Sequence, residues 1–170
     1  MKDFPKITIV AIIALVFGIA SSHYFLKTHN VFDEKNQKEL PSSIIDLDGN
    51  ELINKEVVSS VLLINFWATS CSTCVEEMPH FIDLYHEYKI KGIKIIALAM
   101  DYDQIQLIRK FKEDKEIPFN VAHDTKGEIA SRYKVAATPT TILFKQGKIQ
   151  NLWIGPINDN DIRKAIEEII

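Results

Sequence analysis

The residues of this chain best suited to chemistry are its only two cysteines, Cys71 and Cys74, in the segment NFWATSCSTCVEEMP at residues 65–79. Two thiols at that spacing can make a disulfide, supply half of a metal site, attach a haem or run a dithiol–disulfide couple. A structural zinc site needs four protein ligands, usually completed by a second cysteine pair or by paired histidines. Here there is no third cysteine, and the nearest histidines, His80 and His86, follow within the same helix. Haem attachment asks for histidine directly after the second cysteine, where Val75 stands. A purely structural bridge would close only a short loop and so, by loop entropy, stabilise little. The redox couple remains as the reading with a positive mechanism.

That mechanism depends on the elements around the pair. VLLINFW at residues 61–67 is a continuous apolar run ending at the cysteine segment, which suits a central strand covered on both faces. From Cys74 the pattern turns helical, with Val75, Met78, Ile82 and Tyr85 at steps of three and four, and Pro79 is expected to kink that helix. Cys71 therefore falls at the helix N-terminus, where free N–H groups and the positive end of the macrodipole favour a thiolate. The dipole contributes about 0.3–1 kcal/mol, or roughly 2 when partly buried. One pKa unit is about 1.4 kcal/mol, so a larger shift needs direct hydrogen bonds, for example from the Cys74 thiol. Cys71 is assigned as the exposed attacking thiolate and Cys74 as the more buried resolving thiol.

Further along, 93–101 reads as a second buried strand, 104–115 as an amphipathic helix, 119–122 as a short strand and 128–133 as a small helix. TTILFKQGKIQNLWIG gives two strands joined at Gln146-Gly147, and a last helix carries Ile162, Ala165, Ile166, Ile169 and Ile170 behind an Asn158 or Asp159 cap. Asp48-Gly49, between two short apolar stretches, signals a hairpin before the first long strand. This alternation is that of an α/β sandwich.

FWATSCSTCVEEMP resembles the active-site segment of TlpA/ResA-type membrane-anchored thioredoxin-like thiol–disulfide oxidoreductases, whose pattern runs FWAxWCxxCxxExP. The likeness extends over residues 40–170, through the DGN hairpin, the NFWA strand end and the TPT segment. It implies a thioredoxin fold, a central mixed β-sheet flanked by helices, with an N-terminal β-hairpin extension and a transmembrane anchor, acting as a thiol–disulfide reductase outside the cytoplasm. Ser70 replaces the family's tryptophan, and Ser72-Thr73 lacks the proline common between the cysteines, so potential and partner choice are left open.

The resemblance also assigns supporting residues. Asn65 stands where thioredoxin carries a buried proton-moving aspartate, a task an amide cannot perform. TlpA/ResA-type proteins use instead the acid three places after the second cysteine, here Glu77. Helical geometry agrees, because a residue at i+3 lies on the side of Cys74 whereas Glu76 does not. Glu77 is thus expected to be partly buried with a raised pKa, relaying a proton to or from Cys74. The resemblance implies a cis Thr138–Pro139 bond, with the Thr138 backbone pairing an extended substrate segment. Trp67 is expected to pack beside the disulfide and edge the substrate groove, with a core position as the alternative. His123 and Asp124 need no role beyond a turn and cap.

The chain has 170 residues, 46% hydrophobic and 25% charged, with a net charge of −3. That suits one globular domain, at 41–170, and offers no basic excess for nucleic acid. Residues 7–26, ITIVAIIALVFGIASSHYFL, carry no formal charge and just reach the roughly 20 residues needed to span a bilayer. Lys2 and Lys6 would hold residues 1–6 in the cytoplasm and send the rest across. A cleavable signal, cut after Ala20, is the rival. Residues 27–40 read as a polar linker. The expected partners are a disulfide-bearing protein such as apocytochrome c, a membrane thiol-reductant carrier and the membrane itself, with no metal or other cofactor and a periplasmic catalytic domain. A disulfide oxidase would need a strongly stabilised thiolate, for which Ser72-Thr73 offers no cation. A copper-delivery protein would want a late histidine ligand, and none follows His123. A peroxiredoxin-type peroxidase would not ordinarily need the close pair, and a pure docking module would not need its thiols.

Overall fold

A computed structural model of the chain describes residues 39–170. The expected cytoplasmic N-terminus, the 7–26 anchor or signal and most of the 27–40 linker lie outside them. Among the described residues no helix is long and apolar enough to cross a membrane.

The apolar run at 61–67 forms β1 (Val61–Trp67), buried along its whole length. It pairs in parallel with β2 (Ile93–Ala99), which pairs in parallel with β3 (Asn120–His123). On its other side β1 is antiparallel to β4 (Thr140–Lys145), itself antiparallel to β5 (Lys148–Ile154), giving the order β3-β2-β1-β4-β5. Gln146 and Gly147, with φ of 52° and 75°, make the two-residue turn between β4 and β5; two positive φ values are what a type I′ hairpin requires. The sheet is mixed and central, as expected.

Alternation along the central strands feeds two cores. Leu63 and Trp67 of β1, with Ile95, Ala97 and Ala99 of β2, face α2 (Ser72–Tyr88), α3 (Ile105–Asp114) and α5 (Asp159–Glu167). Leu62, Ile64 and Phe66, with Ile96 and Leu98, face the opposite way, toward Ile44, Leu52 and the short helix α4 (Glu128–Arg132). A further short helix, α1 (Lys55–Ser59), precedes β1 and is capped by the Asn54 side chain.

The hairpin expected at Asp48-Gly49 is present and short: Ile45 bridges Glu51, the Asp46 N–H donates to Asn50 O at 2.9 Å and the Leu52 N–H to Ile44 O at 2.8 Å, and a further bridge runs from Asp46 to Ala122 at the sheet edge. The Asp46 carboxylate accepts the Asp48 and Asn50 N–H groups, each at 2.8 Å, engaging amides that a longer ladder would have used. The segment instead covers the free edge of β3, as Glu39 bridging Lys148 does at β5, and covered edges resist unwanted pairing. The helix expected after the cysteines is α2, with Pro79 inside it, and its buried face needs correction. Its deeply buried line is Cys74, Glu77, Met78, Phe81, Leu84 and Tyr88, while Val75, Ile82 and Tyr85 are only half-buried. An apolar stripe is wide, and a carboxylate on the buried line displaces the apparent stripe to one side.

Candidate active site

β1 ends at Trp67 and α2 begins at Ser72, so residues 68–71 form a tight connection. The Cys71 N–H donates to the Ala68 carbonyl at 3.1 Å. Cys71 itself is the N-cap of α2, with φ −91° and ψ 103°, and its Sγ accepts the Cys74 N–H at 3.2 Å. A sulfur thus occupies the place where a serine or aspartate usually meets the free N–H groups of a helix. The two cysteines are joined as a disulfide, with their Cα atoms 5.3 Å apart. Cys71 is partly exposed and Cys74 is enclosed in the core.

One turn on, Glu77 is 6% exposed. Its Oε1 accepts the Ile157 N–H at 2.7 Å, whereas Oε2 is buried without a hydrogen-bond partner. Burial pushes the carboxyl pKa above its ordinary value, and the Ile157 bond and the neighbouring His80 charge pull it only part of the way back. Residues at i and i+3 of a helix lie about 5–6 Å apart at Cβ, so Glu77 shares the buried face of α2 with Cys74. Glu76 points to solvent.

The Thr138–Pro139 peptide is cis. Because Phe66 pairs with Thr140, Pro139 lies at the end of the sheet from which the cysteine segment departs. Thr138 is partly exposed, and its Oγ1 lies 3.5 Å from the Tyr102 hydroxyl. Trp67 is fully enclosed, packs on Phe111 with ring centroids 4.9 Å apart, and belongs to the same core as Cys74. It therefore takes the core alternative; a side chain without exposed surface offers no edge to a substrate groove. Asn65 is buried, and its Nδ2 donates to Thr141 Oγ1 at 2.9 Å, a neutral tie between β1 and β4. Asp124 caps α4, accepting the Ala130 N–H at 2.8 Å and the Ile129 N–H at 3.3 Å.

The AhpC/TSA family pattern matches residues 31–152. The thiol–disulfide oxidoreductase ResA of Oceanobacillus iheyensis is 30% identical over 96% of this chain and 86% of its own. ResA of Bacillus thuringiensis is 36% identical over 78% of this chain and 75% of its own. The chain belongs to the AhpC/TSA family, as a thiol–disulfide oxidoreductase of the ResA type. Solved structures agree with the fold of this ResA-type enzyme. A thioredoxin-like protein of Neisseria meningitidis superposes with a TM-score of 0.73 at 30% identity, covering 78% of this chain and 89% of that one. A DsbE-type thiol:disulfide interchange protein of Chlorobium tepidum gives 0.70 at 25% identity, covering 78% and 96%. Cys71 and Cys74 are the CxxC pair of this ResA-type enzyme.

Sequence reasoning passes over Asp103 and Thr69. The Asp103 carboxylate, 8% exposed, accepts both the N–H and the hydroxyl of Thr69, each at 2.6 Å. An aspartate just before an amphipathic helix is a legible cap signal. Its partner 34 residues earlier carries no such mark.

Proposed function

We propose that this ResA-type enzyme reduces disulfides of exported proteins, with Cys71 as nucleophile, Cys74 as resolving thiol and Glu77 as the proton relay. The Cys71 thiolate attacks one substrate sulfur, forming a mixed disulfide and releasing the other substrate sulfur as a thiolate that takes a proton from water. Cys74 gives its proton to the Glu77 carboxylate and attacks Cys71 Sγ. The second substrate thiol leaves, and the enzyme is left with its own disulfide, two electrons poorer. A membrane thiol-reductant carrier returns those electrons. The observation that carries the reading is Glu77, a buried carboxyl with a raised pKa and an unpartnered oxygen, one turn from Cys74. Such a group is poised to exchange a proton with a buried thiol.

In this reading the Thr138 backbone, beside Pro139, pairs with the extended substrate segment, and an apocytochrome c or a metal-centre assembly protein is the type of substrate served. The uncharged run at residues 7–26 behind Lys2 and Lys6 supports a membrane-held enzyme with its catalytic domain on the extracytoplasmic side. The direction is tested by equilibrating the Cys71–Cys74 couple against glutathione or dithiothreitol. A potential near that of thioredoxin, about −270 mV, supports a reductase, and one near −120 mV makes the protein a disulfide donor instead.

A further inference from the structure

Residues 68–71 must carry the chain out of a buried strand and deliver a sulfur to the first turn of α2. The two ends of this connection are held by backbone bonds: Cys71 N–H to Ala68 O at 3.1 Å, and, from the end of β2, Met100 N–H to Trp67 O at 2.9 Å. Its middle is held from outside. Asp103, in the loop between β2 and α3, accepts the Thr69 N–H and the Thr69 hydroxyl at 2.6 Å each, and its Oδ1 also accepts the Gln104 N–H at 2.9 Å. The Asp103 N–H donates in turn to Met100 O at 3.0 Å. One buried carboxylate thus satisfies three donors, two of them on a residue two positions before Cys71. Bonds to an ionised acceptor are about twice as strong as neutral ones, so this is the firmest tie the connection makes.

We infer that Asp103 is a positioning residue for the nucleophile, acting through Thr69 to hold Cys71 Sγ at the N-terminus of α2. The inferred role includes a second action, by charge: a carboxylate bound two positions before Cys71 opposes the thiolate and so favours the disulfide form. The clamp therefore acts twice, through geometry and through charge, and the two actions are separable. Thr69→Val removes the hydroxyl bond and keeps the charge. Asp103→Asn removes the charge and keeps one acceptor oxygen. The other ionisable groups around this end of the sheet include Glu76, Glu77 and His80 on α2, Asp101, whose carboxylate lies against Gly127, Tyr102 in the loop that carries Asp103, and His123 and Asp124 at the end of β3. All are present in every variant, so differences between variants isolate Asp103.

The inference rests on Cys71 being the attacking thiol. The experiment follows the reduced full-length chain reacting with iodoacetamide and with oxidised glutathione across pH, with the modified cysteine identified by peptide mapping. Thr69→Val is expected to lower the high-pH plateau of attack on glutathione disulfide about threefold, leave the midpoint in place, and be rescued by Thr69→Ser. Asp103→Asn is expected to move the midpoint of Cys71 alkylation to lower pH. An unchanged plateau and midpoint in folded Thr69→Val and Asp103→Asn, with Cys71 still alkylated first, overturns the clamp and leaves the nucleophile assignment standing. Faster alkylation of Cys74 in the unmodified chain overturns the nucleophile assignment, and the clamp with it.

Discussion

Two of the helices begin directly after strands of the parallel part of the sheet, and they begin in opposite ways. At α4 the N–H groups of Ile129 and Ala130 are met by the fixed carboxylate of Asp124, itself buried. At α2 the corresponding place is taken by Cys71 Sγ, and the nearby carboxylate, Asp103, is turned onto Thr69 instead. A helix N-terminus is a ready anion site. The protein meets one with an aspartate side chain, an ordinary cap. The other holds an atom that is neutral in a disulfide and negative as a thiolate, so the same backbone dipoles act on a redox equilibrium.

The sharpest way to break this contrast is to exchange the sulfur for an ordinary cap. Cys71→Ser keeps a good capping oxygen, so stability is expected to change by less than about 1 kcal/mol while disulfide reduction falls to the uncatalysed background. Retained turnover in an insulin-reduction assay would end the nucleophile assignment. Cys74→Ser is expected to leave the first attack intact and to accumulate a mixed disulfide with substrate on Cys71, visible on a non-reducing gel.

The α4 terminus should answer in the opposite sense. Asp124→Ala strands two helix amides and is expected to cost about 1–3 kcal/mol in denaturant unfolding with no movement of the Cys71–Cys74 potential. A displaced potential would mean that the two termini are electrically coupled.

A smaller effect is expected at Glu77. Its folded pKa is raised by burial, so the folded state holds the proton more tightly than the unfolded one. Its ionisation therefore costs stability, with no cost below the ordinary glutamate value and the full cost above the raised one. Stability should fall as pH climbs through that interval, and Glu77→Gln should remove this part of the fall while slowing release of the mixed disulfide. Parallel pH–stability curves for the two proteins would show that Glu77 ionises in the folded chain as it does in the unfolded one.

Much of the fold is legible in local patterns of residues. The all-apolar run at 61–67, the Asn158 cap of the last helix with Ile162, Ala165 and Ile166 of its stripe, and the Gln146-Gly147 turn survive into the fold because burial and backbone geometry act on neighbouring residues. Ile169 and Ile170 lie beyond the helix end, and Ile170 is exposed. The buried line of α2 escapes periodicity for the reason that makes it functional: Glu77 occupies a position where an apolar side chain is expected. The place of Trp67 beside the cysteines is visible in sequence and suggests a groove residue, whereas its enclosure comes from Phe111 on another helix.

The order of strands and helices, the redox-capable pair at a strand-to-helix join and the acid one turn after it follow from the amino-acid sequence, since each depends on residues within a few positions of one another. Which groups meet across the fold was decided by tertiary structure: the Asp103 carboxylate and Thr69, the Glu77 carboxylate and the Ile157 N–H, Asn65 and Thr141. Those meetings depend on how β1, β2 and β4 lie side by side and on the path of the loops beyond them. A hydrogen bond between residues far apart in the chain leaves no periodicity for a sequence to display.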